Sequence, residues 1–179
     1  TPAVYEAVAD QTAGIAAADL MAASKKGVLP TPNAITMVFK HLMTKIVINA
    51  DNQSGASVEA VELTGTPAAA DIDVAELTVT ASEETVAVKA YEAAAGQTWK
   101  TIIIPGTVKM ELAVSLSSGK KITQPLAEMT LKSGGQYTIN VRLLQDNMIV
   151  SASGEIENWT DEGEIEFDGE GSSEELPVE

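Results

Sequence analysis

"GGQYTINVRLLQDNMIVSASGEIENW", residues 134–159, places Tyr137, Ile139, Val141 and Leu143 at alternate positions, breaks at "LQDNM", and resumes with Met148, Val150 and Ala152. Alternation with a period of two marks an extended chain with one buried face. Asp146 and Asn147 supply turn chemistry between the halves. The stretch therefore predicts two antiparallel strands, the return strand running on toward Ile156 and Trp159. It carries almost no reactive side chains, so its work is packing or contact.

The same pattern recurs upstream. In "VKMELAVSLSSGKK", Val108, Met110, Leu112, Val114 and Leu116 alternate with Lys109, Glu111, Ala113 and Ser115, which predicts a strand with one wet face. "ITQPLAEMTLKSGG" carries Leu126, Met129 and Leu131 into another. "WKTIIIPG" reads as a buried strand closed by Pro105 and Gly106. "VEAVELTG", "ELTVTA" and "ETVAVKAYE" are shorter alternating pieces, the last with Val86 and Val88 on one side. In "ITMVFKHLMTKIVINA", Ile35, Met37, Phe39, His41 and Met43 share one face and Ile46 and Ile48 the other, so a β-bulge is expected near Thr44 and Lys45. Short strands punctuated by Gly, Asn, Asp and Pro predict an all-β, antiparallel sandwich with Greek-key connections.

The chain has 179 residues, enough for a core that removes roughly 70% of the unfolded surface from water. Residues 1–34 are Ala-rich and broken by Gly14, Gly27, Pro30 and Pro32. They are expected to form an irregular lead-in, an edge strand or the end of a preceding domain. Residues 35–160 are expected to form the sandwich, and residues 161–179 an acidic C-terminal tail.

Composition narrows the function classes. Twenty-six acidic residues face 11 basic ones, for a net charge of −15, a field that repels phosphate backbones and argues against nucleic acid as a partner. Cys is absent, which removes disulfides, thiolate metal sites and cysteine nucleophiles. No stretch is apolar for long enough to be a membrane-spanning helix, and the N-terminus lacks a signal-peptide layout. His41, the lone histidine, lacks the companions of a zinc site and is expected to be structural. The acidic residues from Asp161 to Asp168 do not follow a calcium-loop spacing. Glu155 and Glu157 look like the exposed side of a strand. No hydrolase, phosphate-loop or zinc-protease motif occurs. The sequence thus predicts no catalytic, cofactor-binding or metal-binding residues. Trp99 and Trp159 offer one alternative, an aromatic platform for a sugar, against the competing expectation that both indoles close the core.

Four ordered elements carry a resemblance. They are Asp19, Leu20, Met21 and Ala23 in "DLMAAS"; Phe39, His41 and Lys45; Ile103, Ile104 and Pro105; and Gly134, Tyr137, Ile156 and Trp159. In this the chain resembles the fimbrillin-like proteins of Bacteroidales, the type V pilin superfamily. The resemblance implies transthyretin-like β-sandwich domains in a lipoprotein-derived fimbrial subunit or adhesin, anchored at the outer membrane or built into a fimbria. Family members usually have two such domains, and these elements belong to the C-terminal one. The implied partners are other fimbrial subunits, or a host or bacterial surface receptor, with assembly by strand exchange after removal of an N-terminal strand. Arg142, the only arginine, falls inside a predicted strand, so an arginine-specific processing site is missing. A tip, anchor or stand-alone subunit fits as well as a stalk subunit.

Overall fold

The structure, a computed structural model, describes residues 3–28 and 34–158, with residues 152–158 described through their backbone alone. Trp159 and the acidic tail lie outside the described residues. In chain order the strands are β1 (Ala3–Glu6), β2 (Met21–Ala22), β3 (Lys40–His41), β4 (Thr44–Asn52), β5 (Val58–Pro67) and β6 (Ala69–Asp73). Next come β7 (Thr78–Ala81), β8 (Thr85–Lys89), β9 (Tyr91–Ala94), β10 (Thr98–Ile103), β11 (Gly106–Val108) and β12 (Glu111–Leu116). Last are β13 (Lys121–Pro125), β14 (Met129–Leu131), β15 (Gly135–Leu143) and β16 (Met148–Asn158). A 3-10 turn spans Ala16–Ala18. Among the described residues no helix is long and apolar enough to cross a membrane.

Two layers form the sandwich, a five-stranded sheet ordered β16-β15-β4-β10-β9 and a four-stranded sheet ordered β13-β12-β5-β8. Sequential strands repeatedly change layers, as Greek-key connections do. Among the described strands pairing is antiparallel except between β4 and β15, which run parallel with Ile46 beside Tyr137 and Ile48 beside Ile139. The sequence gives no warning of that pair, because a parallel partner can be reached through the opposite sheet as well as through a helix. The inward residues of both layers meet in one cluster. Ile46, Ile48, Trp99, Ile103, Tyr137, Ile139, Val141 and Leu143 come from one side, and Val61, Leu63, Val88, Leu112, Val114 and Leu116 from the other. Each such aliphatic side chain contributes about 1.5–3 kcal/mol when fully buried.

A second cluster lies on the opposite side of β10. There Ile102 and Ile104 pack with Ala18, Leu42, Met43, Ala70 and Ile72, under a three-stranded sheet ordered β1-β6-β7. The run of three isoleucines is explained by this position. Ile103 turns into the sandwich while Ile102 and Ile104 turn into the second cluster, so no residue of the run meets water.

Two sequence expectations need correction. Residues 34–39 form no strand, and Ile35, Met37 and Phe39 are 45%, 41% and 57% exposed rather than inward-facing. Alternation shows that a chain can lie extended, but a strand also needs a free sheet edge, and pairing begins only where Lys40–His41 meets Met21–Ala22. The expected bulge at Thr44 and Lys45 is instead the start of β4. The phase change falls at Leu42 and Met43, both buried, where the chain passes from β3 into the five-stranded sheet.

The alternating residues from Val108 to Leu116 are all buried as expected, but Val108 belongs to β11 and Leu112, Val114 and Leu116 to β12, in a different sheet, with Met110 between the two. β11 pairs with β14, and β12 pairs with β5 and β13. At the switch the Lys109 carbonyl presses on Gly65, whose φ of +79° and lack of room for a Cβ both demand glycine.

Candidate interaction surface

The seam of the sandwich between β8 and β10 is where the lead-in docks. β1 pairs antiparallel with β6, and Ala7 donates its N–H to the Ala68 carbonyl at 2.9 Å. The chain then runs beside β8, where Lys89 donates to the Ala9 carbonyl at 2.8 Å and accepts from Gln11 N–H at 3.1 Å. Gln11 is 1% exposed. Its Nε2 donates to the carbonyls of Ile102 at 2.7 Å and Val8 at 3.0 Å. Its Oε1 accepts from Ile102 N–H at 2.9 Å and from the Thr101 hydroxyl at 3.1 Å. β9 pairs with β10 only as far as Lys100, so the Gln11 amide takes over the backbone edge of β10 where β9 stops. Nothing in "VADQTAG" distinguishes this glutamine from a surface one, and sequence reasoning missed it.

Hydrogen bonds join described parts of the resemblance, linking Asp19 and Leu20 to His41 and Leu42, and Met43 to Gly134. His41 Nδ1 lies 2.9 Å from Asp19 Oδ1, with the two side chains 8% and 17% exposed, so the lead-in and the Phe-x-His element are joined. The histidine side chain is largely buried and hydrogen-bonded. Leu42 donates its N–H to the Leu20 carbonyl at 2.9 Å. Ser133 Oγ donates to the Leu42 carbonyl at 2.7 Å, and Gly134 N–H to the Met43 carbonyl at 2.9 Å. Tyr137 Oη donates to the Thr130 carbonyl at 3.2 Å and accepts from Lys132 N–H at 3.0 Å, closing the turn that leads into β15. A tyrosine tied back to the chain upstream of its strand is a recurrent corner device of sandwiches. Tyr5 Oη donates to the Ala18 carbonyl at 2.7 Å, and burial, reinforced by the nearby Asp19 charge, pushes its phenol up to about 12.

Trp99 is 2% exposed and packs in the sandwich core, facing Ile48 across the β4–β10 pair. It cannot present an aromatic platform, which corrects that alternative at Trp99. The reason is register, since the inward phase of β10 that buries Thr101 and Ile103 also takes Trp99. Trp159 lies outside the described residues. Among the described residues no three His, Asp or Glu side chains gather where they could hold a metal ion.

Against known proteins, residues 2–159 match the family model described as fimbrillin-like. A proposed cell adhesion protein of Bacteroides ovatus is similar at 25% identity and a TM-score of 0.59, over 72% of this chain and 49% of its own. A proposed cell adhesion protein of Bacteroides uniformis shares the fold at 20% identity and a TM-score of 0.68, over 88% of this chain and 66% of its own. The chain thus spans between half and two thirds of the length of these two relatives. No curated protein matches it. With the match running from the lead-in to the end of β16, the chain belongs to the fimbrillin-like family.

Proposed function

We propose that this protein is a non-catalytic subunit of the bacterial cell surface, a fimbrial building block or an adhesin, held there by a lipid anchor or by neighbouring subunits. Its partners are other fimbrial subunits, joined by strand exchange, or a receptor on a host or bacterial surface. Family membership supports the surface role. The observation that carries the assembly step is the way residues 3–11 are bound. They lie along β6, beside Lys89 and against Ile102, using main-chain and amide hydrogen bonds that a strand from another subunit could reproduce.

The test is a nick and an exchange. Lys25, Lys26 and Gly27 lie in an exposed segment, and a specific protease site placed there separates the lead-in covalently while leaving the contacts of residues 3–11 in place, at the loss of the exposed bonds from Lys25 to Thr36 and from Lys26 to Glu76. The nicked protein should take up a labelled peptide of residues 1–27 and form oligomers whose size grows with concentration. Nicked protein that stays monomeric at every concentration and never exchanges its peptide would rule out strand exchange.

A further inference from the structure

The outer face of the five-stranded sheet is divided. Near Ile102 it is covered by the lead-in and the second cluster. Toward the far ends of β4 and β15 no described residue covers it, and it forms a shallow depression lined by Asn49, Asp51, Asn140, Arg142, Ile149 and Ser151. Register sets these side chains in two rows. Thr98 lies opposite Asn49, Asn49 beside Asn140, and Asn140 opposite Ser151, a strip crossing β10, β4, β15 and β16. The next row is Asp51, Arg142 and Ile149.

The first row carries no charge, on a chain whose net charge is −15. Its members hold one another in place. The Thr98 hydroxyl donates to Asn49 Oδ1 at 3.2 Å, and Asn49 Nδ2 donates to Asn140 Oδ1 at 3.2 Å. Asn140 Nδ2 meets no acceptor among the described residues. In the second row Asp51 Oδ2 accepts from Arg142 Nε at 3.0 Å and from Gln53 Nε2 at 2.8 Å. Among the described residues Arg142's terminal nitrogens and Asp51 Oδ1 make no hydrogen bond, and the two side chains are 59% and 53% exposed. Ile149 is 55% exposed beside them.

We propose that this half-face binds carbohydrate, with Asn140, Arg142 and Asp51 reading adjacent hydroxyls of a neutral glycan and Ile149 lying under the C–H face of the ring. A fixed donor next to a fixed acceptor is what a pair of vicinal hydroxyls satisfies, since each hydroxyl gives and receives one bond. An anion is disfavoured because Arg142 is already neutralised by Asp51 and the surrounding field is negative. A compact apolar ligand is disfavoured because it needs an enclosing pocket, whereas this surface is open and polar. A sugar, polar around its rim and apolar on one ring face, suits a shallow surface whose remaining contacts pass through water. The site does not use an aromatic platform, and it is separate from the seam that serves assembly.

The experiment applies the intact chain to an array of immobilised neutral and sialylated oligosaccharides, then titrates retained glycans by calorimetry. Neutral glycans should be retained, and Asn140→Ala and Arg142→Ala should each weaken the best of them at least tenfold. Lys109→Ala, on β11's side of the molecule, should not change it. All three positions are exposed, so unchanged thermal midpoints should accompany the loss. Retention of no glycan, a preference for sialylated ones, or affinity indifferent to both substitutions overturns the proposal. The same is true if the face proves to be covered by another copy of the chain. Strand exchange can fail in the nicking experiment while glycan binding survives here, and the reverse, so the two readings stand separately.

Discussion

Gln11 binds Ile102 as a neighbouring strand would, giving Nε2–H to its carbonyl at 2.7 Å and taking its N–H at Oε1 at 2.9 Å. A side chain thus completes a ladder that β9 leaves unfinished. Gln11→Ala should strand a buried N–H, a buried carbonyl and the Thr101 hydroxyl, and destabilise the protein by about 2–4 kcal/mol. Urea unfolding measures it, with exposed Gln53→Ala as a control expected within about 0.5 kcal/mol. Hydrogen exchange should accelerate in residues 3–20 before it does in β15. A loss no larger than the control's would show that the lead-in is held by its apolar contacts alone.

Tyr137→Phe keeps the ring in the core and removes the bonds to Thr130 and Lys132. Its expected cost is about 1–2 kcal/mol, the range for losing a buried hydroxyl with two backbone partners. Chemical denaturation at neutral pH provides the comparison. No change would mean that Gly134 and Ser133 hold the turn without the tyrosine.

Glycine is required at Gly65 for two reasons, its φ of +79° and the Lys109 carbonyl in the place of a Cβ. Gly119 has a similar φ of +81° but open space around it. Gly119→Ala should therefore cost about 1 kcal/mol, the penalty for the left-handed conformation alone. Gly65→Ala should cost distinctly more, because the strand switch at Lys109 must move as well. Equal thermal shifts for the two would refute the steric account.

Tyr5 gives the fold a dependence on high pH. Its phenol is raised from 10.0 to about 12 in the folded state, so the unfolded chain loses the proton first. The stabilisation is complete below pH 10, and is lost as pH rises toward 12. Tyr5→Phe should flatten that part of the stability profile, and an ultraviolet titration should lose one late-ionising phenol. A profile unchanged by the substitution would place the alkaline limit elsewhere.

How much of this was legible in the sequence depended on what the alternation had to decide. Tyr137, Ile139, Val141 and Leu143 are all buried as predicted, because a strand with partners on both sides has only an inner and an outer face. The same alternation misled at Ile35, Met37 and Phe39, which lie beside no described strand, since pairing starts only at Lys40. Val108 to Leu116 showed the right residues but hid the change of sheet at Lys109, since period two is blind to which neighbour a strand takes. Gln11 gave no signal, because its importance lies in Ile102, ninety-one residues away. Asp19 and His41 were visible through family resemblance, and only the folded chain showed that they touch.

β10 has consequences beyond its six residues. With Ile103 on one side and Ile102 and Ile104 on the other, it is a partition wall shared by both apolar clusters. Loosening the segment that carries Gln11 would therefore be felt inward, wetting the back of β10 and slackening the sandwich in front of it. Seating a well-fitting strand there would tighten both at once, so the rigidity of the whole subunit would report whether that berth is filled.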